Sequence, residues 1–183
     1  MDIELYLLEI KEAAEKSIQH LKFELSKIST GRANPQLVKW VKVDYYGTPT
    51  SLDELANISV PEPQQLLIKP YDQSSVKDIL KAINNANLGI TPVDEGNQVR
   101  ITFPALTTER RRELTKSLPK HSEQAKVGVR NARQDVNKSI KGDDSISEDE
   151  QKRVLEIVQK EVDKYINEIS AIVKDKENEL MNK

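Results

Sequence analysis

Three stretches of the chain carry apolar residues at steps of three and four, a spacing that places them along one side of an α-helix. They predict helices over about residues 2–28, from residue 107 or 108 to just before Gly142, and over about residues 147–181. Each helix is apolar on one side only and would not be stable alone in water, so we expect them to form an elongated three-helix bundle. Their apolar positions are Leu7, Ile10, Ala14, Ile18, Leu21, Leu25 and Ile28; Leu114, Leu118, Ala125, Val129, Ala132, Val136 and Ile140; and Val154, Val158, Val162, Tyr165, Ile169 and Ile172.

Two local signals refine these helices. Ser147 is a favoured N-cap residue and Glu150 follows three positions later, as in a capping box, so the last helix should begin there. Pro119 lies inside the middle helix, although proline lacks the N–H that the helix needs and its ring crowds the preceding turn. We therefore expect a bend at Pro119 or a break near Leu118.

The pattern between the first and second helices is different, because apolar residues there alternate as they do in β-strands. The alternation predicts strands at residues 41–45 and 99–103, with shorter candidates at 58–60 and 66–68. A short helix is predicted from residue 75 to 87, stopped by Gly89. This region should therefore form a small β/α/β domain, and the fold class of the whole chain is α+β.

The domain boundaries follow from where the helical pattern stops and resumes. Residues 1–30 and 106–183 should form the bundle, and residues 31–105 the inserted domain. The chain passes twice between the two domains, and two linker segments at one junction can act as a hinge. The alternative is a rigid junction in which Gly31 only ends a helix. The candidate hinge residues are Thr30, Gly31, Arg32, Pro104, Ala105 and Leu106.

Composition excludes several classes of chemistry. The chain has no cysteine, so disulfides, thiolate metal sites and cysteine nucleophiles are absent. None of its six glycines begins a phosphate-binding loop, and its two histidines form no zinc motif. The acidic N-terminus resembles no targeting peptide, and no apolar run approaches the ~20 residues needed to cross a bilayer. We expect a cytoplasmic, non-enzymatic protein with no cofactor, metal or membrane partner.

Positive charge is concentrated in the middle helix. Residues 107–141 contain ten Lys or Arg and four Asp or Glu, a local charge of +6 in a chain whose net charge is −2. Five polar residues in its second half follow steps of four, three, four and four, and so share one face. Cations in such a row match a ladder of RNA phosphates, and arginine can bind a phosphate through two parallel hydrogen bonds. The alternative is ion pairing with acids such as Glu156 or Asp163. The five residues are Lys126, Arg130, Arg133, Asn137 and Lys141.

Several short runs, in order along almost the whole chain, resemble the ribosome recycling factor family. One resembles the hinge segment of that family, one its Tyr-Tyr-Gly turn, one its return linker and one its Val-Arg-Asn-x-Arg motif; two more lie around the last helix. The runs are residues 29–35 (STGRANP), 45–49 (YYGTP), 104–111 (PALTTERR), 129–133 (VRNAR), 146–150 (ISEDE) and 176–181 (KENELM).

The resemblance implies a fold and a function. The fold would be an L-shaped molecule, similar in outline to transfer RNA, with the bundle and the small domain joined by a flexible elbow. The function would be to bind the large ribosomal subunit after termination as a monomer and, with GTP hydrolysis by elongation factor G, to separate the subunits. Arg130 and Arg133 would contact ribosomal RNA.

The chain also departs from the family pattern, and rival functions make different predictions. Many relatives carry a second arginine where this chain has Gln134, and a basic residue where it has Ser29. Pro119 is not expected from the family, and the loop at Gly142 looks short. A coiled-coil adaptor would leave apolar surface exposed and bind its partner independently of salt. A general RNA chaperone would bind many unrelated RNAs.

Overall fold

The computed structural model describes residues 2–182 and divides the chain into two compact units. One unit comprises the chain up to Leu25 and from Arg111 onward, and the other is Ser26–Arg110. The helices are α1 (Ile3–Ser26), α2 (Gln36–Lys39), α3 (Leu52–Leu55), α4 (Val76–Asn85), α5 (Thr108–Lys141) and α6 (Glu148–Met181), with a 3₁₀ turn at Gln73–Ser75. The strands are β1 (Lys42–Tyr45), β2 (Thr48–Ser51), β3 (Ala56–Glu62), β4 (Gln65–Pro70), β5 (Pro92–Asp94) and β6 (Val99–Thr102).

The first unit is a bundle of α1, α5 and α6, as the apolar spacing predicts. The helices bury one face each, at steps of three and four along most of their length. Predicted positions at the margins of each stripe, such as Leu7, Leu114 and Ile172, are only partly buried. The buried positions are Ile10, Ala14, Ile18, Leu21 and Leu25; Leu118, Ala125, Val129, Val136 and Ile140; and Val154, Val158, Val162, Tyr165, Ile169, Lys176 and Leu180.

Helix α5 is continuous through Pro119, so of the two alternatives expected there, a bend at Pro119 or a break near Leu118, the break is wrong. Leu118 is buried in the bundle core, whereas Pro119 is exposed. Proline removes one hydrogen bond of the helix ladder, but the buried residues on either side of it keep both halves of α5 in the bundle. Packing therefore outweighs the local preference of one residue.

The start of α6 has the predicted capping box. The Glu150 backbone N–H donates to Ser147 Oγ at 3.3 Å, and the Ser147 N–H donates to Glu150 Oε2 at the same distance. Glu148 and Asp149 add negative charge to the first turn, where the helix dipole is positive. These contacts satisfy N–H groups that would otherwise lack partners at the helix end.

A glycine within α5 allows close packing against α1. A Cβ atom at Gly128 would lie 2.3 Å from Ser17 Oγ, which is nearer than two such atoms can approach. Glycine weakens a helix interior, so its presence here is explained by the close approach of the two helices rather than by backbone freedom. The bundle is therefore tightly packed immediately before Arg130 and Arg133.

The second unit contains a four-stranded antiparallel sheet in the order β3-β4-β6-β5 and a separate β1–β2 hairpin. Helix α4 contacts both β1 and β5. Its apolar face contributes Val76, Ile79 and Ile83 to a core that also contains Ile68 and Phe103. The helix ends at Asn85, and the first left-handed residue after it is Asn87 rather than Gly89.

The Tyr-Tyr-Gly run forms the turn of the β1–β2 hairpin. Tyr45 pairs with Thr48, and the two turn residues Tyr46 and Gly47 have φ of 49° and 82°, as a tight type I′ turn requires. The Tyr46 hydroxyl donates to Asp72 Oδ2 at 3.1 Å. Hydrogen bonds from the Ser74 side chain and backbone are the main cause of an Asp72 pKa below its ordinary value.

Candidate nucleic-acid interface

The five polar residues predicted to share one face of the middle helix lie on the second half of α5, beside its buried face. We call them the basic stripe: Lys126, Arg130, Arg133, Asn137 and Lys141. Val129 and Val136 point into the bundle core. The stripe residues Lys126, Arg130, Arg133 and Asn137 are half-buried, and Lys141 is exposed at the last helical position. The prediction that most of this row points outward therefore needs correction, because neighbouring side chains cover part of it.

Arg130 is paired with an acid of its own helix. Its Nη1 lies 2.6 Å from Glu123 Oε1, two helical turns earlier in α5. The side chains of Arg130 and Glu123 are 44% and 61% exposed, and such exposed ion pairs contribute roughly 0–1 kcal/mol. The weak pair keeps the guanidinium at the surface and could be replaced by a phosphate without a large loss of stability.

Arg133 makes a different contact, across to α6. Its Nη1 donates to Gln159 Oε1 at 3.2 Å, and Gln159 Nε2 donates to Asp163 Oδ1 at 2.8 Å. The Nε of Arg133 is buried and has no hydrogen-bond partner among residues 2–182. Within that range Arg133 also forms no ion pair. The hydrogen bond to Gln159 therefore restrains the side chain of Arg133 without neutralising its positive charge.

The remaining stripe residues extend this surface along α5. Asn137 lies one turn beyond Arg133, and its Oδ1 is buried without a hydrogen-bond partner in the described part of the chain. Lys126 lies one turn before Arg130 on the same face. Together with Lys141, the stripe forms a positively charged row near the α5–α6 contact, suited to a polyanion.

The alternative partners named from the sequence, Glu156 and Asp163, do not pair with the stripe in the part of the chain described. Arg130 finds Glu123 instead, and Gln159 stands between Arg133 and Asp163. The spacing of seven between Glu123 and Arg130 could have been noticed in the sequence, because two helical turns bring such residues to the same side. Gln159 could not, since its position depends on how α5 and α6 are aligned.

The candidate hinge residues lie in two segments of the second unit. Gly31 is buried with φ of 79°, and its N–H donates to Ser29 Oγ at 3.3 Å. A Cβ at Gly31 would lie 3.2 Å from the Leu106 backbone nitrogen, so the segments are in contact. Arg32, Pro104 and Ala105 are exposed, and Thr30 and Leu106 are half-buried.

The described residues form neither a metal-binding cluster nor a membrane-spanning helix. Between residues 2 and 182, no three His, Asp or Glu side chains converge in a way that could hold a metal ion. Among the described helices, each lacks the long apolar stretch that crossing a bilayer requires. The basic row on α5 is therefore the surface with the clearest chemistry.

Comparison with known proteins identifies the family. The family described as Ribosome recycling factor matches residues 21–181. The chain belongs to the ribosome recycling factor family. A ribosome-recycling factor from Mycoplasmopsis pulmonis is 52% identical over 173 residues, covering 94% of this chain and 92% of the relative. One from Bacillus subtilis is 47% identical over 178 residues, covering 96% of each.

Solved structures of ribosome recycling factors have the same fold. A solution structure of a ribosome recycling factor is 42% identical, with a TM-score of 0.84, and the match covers 100% of this chain and 99% of that one. A second structure places the T. thermophilus ribosome recycling factor and E. coli elongation factor G on the E. coli post-termination complex. That factor is 33% identical, with a TM-score of 0.68 and full coverage of both chains. The α+β fold of bundle and small sheet domain is therefore that of the family.

Proposed function

We propose that this protein recycles ribosomes after termination by binding the large subunit and, together with elongation factor G, promoting separation of the subunits and release of mRNA. The observation that carries the proposal is the family match over residues 21–181. A relative of the same fold is described with elongation factor G on a post-termination complex. The factor would act in the cytoplasm as a monomer.

The factor itself would be non-enzymatic. Hydrolysis of GTP by elongation factor G would supply the energy, and no cofactor would be needed. The sequence supports this division of labour, because none of its glycines begins a phosphate-binding loop. The work of this chain would then be recognition and movement.

Arg130 and Arg133 would anchor the bundle on ribosomal RNA, with Lys126, Asn137 and Lys141 as neighbouring contacts. The Arg130–Glu123 pair is exposed and weak, so a phosphate can take the place of the carboxylate. Arg133 has no acidic partner in the described residues and donates through Nη1 to the neutral amide of Gln159, so its charge is not compensated. No aromatic residue interrupts the stripe, so the contact would read the shape of folded RNA rather than its bases.

The linker segments Thr30–Gly31–Arg32 and Pro104–Ala105–Leu106 would form the hinge between the bundle and the small domain, and each lies within a few residues of a boundary between the two compact units. The left-handed φ of Gly31 and its contact with Leu106 support this role. Few residues can adopt that φ, so a change at Gly31 would alter the junction directly. The small domain would be the part that moves with elongation factor G.

The proposal is tested by co-sedimentation of the purified protein with isolated large ribosomal subunits across a salt series. The Arg130→Ala/Arg133→Ala variant should bind more weakly and lose about two units of salt slope, because each phosphate contact contributes about one. The control is Lys164→Ala/Lys174→Ala, which removes two exposed cations from α6, each paired with an acid. Circular dichroism verifies that both variants are folded.

Each outcome has a distinct meaning. Weaker, less salt-sensitive binding by the arginine variant, with normal binding by the lysine variant, supports the anchor. Equal loss in both variants means that overall charge, not the stripe, drives binding. Wild-type binding that is independent of salt would favour the protein adaptor, and equal binding to unrelated RNAs would favour the RNA chaperone.

A further inference from the structure

At Arg133, the contact between α5 and α6 consists of three polar side chains linked one to the next by hydrogen bonds. Arg133 Nη1 donates to Gln159 Oε1 at 3.2 Å, and Gln159 Nε2 donates to Asp163 Oδ1 at 2.8 Å. Gln159 is half-buried, and Asp163 is exposed one turn further along α6. A glutamine amide can accept with its oxygen and donate with its nitrogen at the same time, so it links a cation to an acid without contact between them.

The acid determines which end of the amide faces the arginine. An ionised carboxylate only accepts hydrogen bonds, so Asp163 must face the NH₂ group of Gln159. The opposite orientation would set the NH₂ group against the guanidinium, donor against donor. Asp163 therefore directs the amide oxygen towards Arg133, and the amide oxygen in turn limits the directions available to the guanidinium.

The chemistry of residue 159 also determines how much charge Arg133 retains. A carboxylate at this position would form a charge-assisted pair with the guanidinium and neutralise it. The neutral amide provides a hydrogen bond without doing so. Arg130 shows the contrast within the same helix, because Glu123 pairs with it directly.

We propose that Gln159, oriented by Asp163, is a positioning residue that aims Arg133 at an RNA phosphate while leaving its charge uncompensated. This inference rests on the proposed function, since it assumes that Arg133 contacts ribosomal RNA. The proposal distinguishes two properties of Arg133: the direction in which its guanidinium points and the charge that it retains. Substitutions at residue 159 can change one without the other.

The test compares variants of residue 159 by co-sedimentation with isolated large subunits across a salt series. Gln159→Glu should weaken binding about tenfold and lower the salt slope by about one unit, because the new carboxylate would form an ion pair with Arg133 and neutralise its charge. Gln159→Leu keeps the charge but loses the hydrogen bond, so binding should weaken about fivefold with an unchanged slope. If the new carboxylate acts through Arg133, Gln159→Glu should lower the slope no further in an Arg133→Ala background, whereas simple repulsion of RNA would lower it in both backgrounds.

One further variant tests the role of Asp163, and another serves as a control. Asp163→Asn offers Gln159 both a donor and an acceptor, so it no longer fixes which end of the Gln159 amide faces Arg133. Binding should weaken with an unchanged salt slope, and wild-type binding by this variant would show that Asp163 does not orient Gln159. Asn178→Asp adds a negative charge to the same helix roughly 28 Å from residue 159, and should leave both affinity and slope unchanged. Thermal unfolding followed by circular dichroism checks that every variant is folded at the assay temperature.

Arg133→Ala separates failure of the inference from failure of the proposed function. If Arg133→Ala loses affinity and slope but Gln159→Glu behaves as wild type, Gln159 has no positioning role and the anchor stands. If Arg133→Ala itself binds as wild type, the anchor is wrong and the inference falls with it. If Gln159→Glu and Gln159→Leu lower the slope equally, residue 159 does not act through charge, and the proposal is overturned.

Discussion

Replacing Gly31 with alanine should destabilise the second unit by two separable effects. Gly31 has φ of 79°, in the left-handed region that alanine adopts at a cost of about 1 kcal/mol. The new Cβ would also lie 3.2 Å from the Leu106 backbone nitrogen and 3.3 Å from Leu106 Cγ. These contacts are tighter than normal packing, and crowding of this kind costs about 1 kcal/mol more. The expected total loss is about 2 kcal/mol.

Gly89 is a matched control for the backbone effect alone. Its φ is 70°, and a Cβ built there would meet nothing within 4 Å. Gly89→Ala should therefore cost about 1 kcal/mol, from strain without crowding. The difference between the two variants isolates the contact between the linker segments, since both substitutions have the same effect on the unfolded chain.

Urea unfolding followed by tryptophan fluorescence measures this difference. The chain has a single tryptophan, Trp40, which lies in the second unit and reports on it specifically. With a urea dependence of about 1 kcal/mol per M for a unit of this size, the midpoint should fall by about 2 M for Gly31→Ala and about 1 M for Gly89→Ala. Equal midpoints for the two variants would show that Leu106 does not crowd residue 31.

A second substitution tests the cause more closely. Leu106→Ala removes Cγ but leaves the backbone nitrogen in place, so it should recover only part of the extra cost when combined with Gly31→Ala. Full additivity of the two substitutions would mean that the residues do not interact. In a recycling assay, Gly31→Ala should slow subunit separation more than it weakens subunit binding if the segment is a hinge.

Two further predictions concern the bundle. Pro119→Ala should stabilise it by about 2 kcal/mol, since α5 gains a hydrogen bond and the exposed site leaves no cavity; an unchanged unfolding temperature, by circular dichroism, would contradict this. Lys176→Met should stabilise it by about 1 kcal/mol at neutral pH, because burial lowers the pKa of Lys176 below its usual 10.5 although Glu179 lies 3.6 Å away. Lys176 binds its proton more tightly in the unfolded chain than in the folded bundle, so the cost of burying its charge disappears above pH 10.5. The difference in urea midpoint between Lys176→Met and the wild type should therefore narrow above that pH.

The bundle was predictable because its signal is repeated many times. Each helix carries five or more apolar residues in register, and an error at one position does not change the result. Ser147 and Glu150 added a local signal at the start of α6, and the capping box is present. Lys176 was not predicted as a buried position, because a lysine breaks the apolar pattern on which the argument depends.

The inserted domain was harder to predict because its strands are short. Strands β1 and β6 alternate clearly, and both were found. Strands β2 (Thr48–Ser51) and β5 (Pro92–Asp94) each contain a proline and have little buried surface, so their sequences have no alternation to detect. Their pairing with neighbouring strands determines their structure, and pairing depends on residues distant in sequence.

The basic stripe shows where sequence reasoning reaches its limit at the site. Spacing along α5 correctly places five residues on one side, since that depends on a single helix. The partner of each charge depends on the alignment of two helices, and a shift by one turn would exchange Gln159 for another residue of α6. The consequence is functional, because an amide and a carboxylate opposite Arg133 leave that arginine with different effective charges. The partners of a cationic surface therefore have to be known before its affinity for RNA can be inferred from its charge.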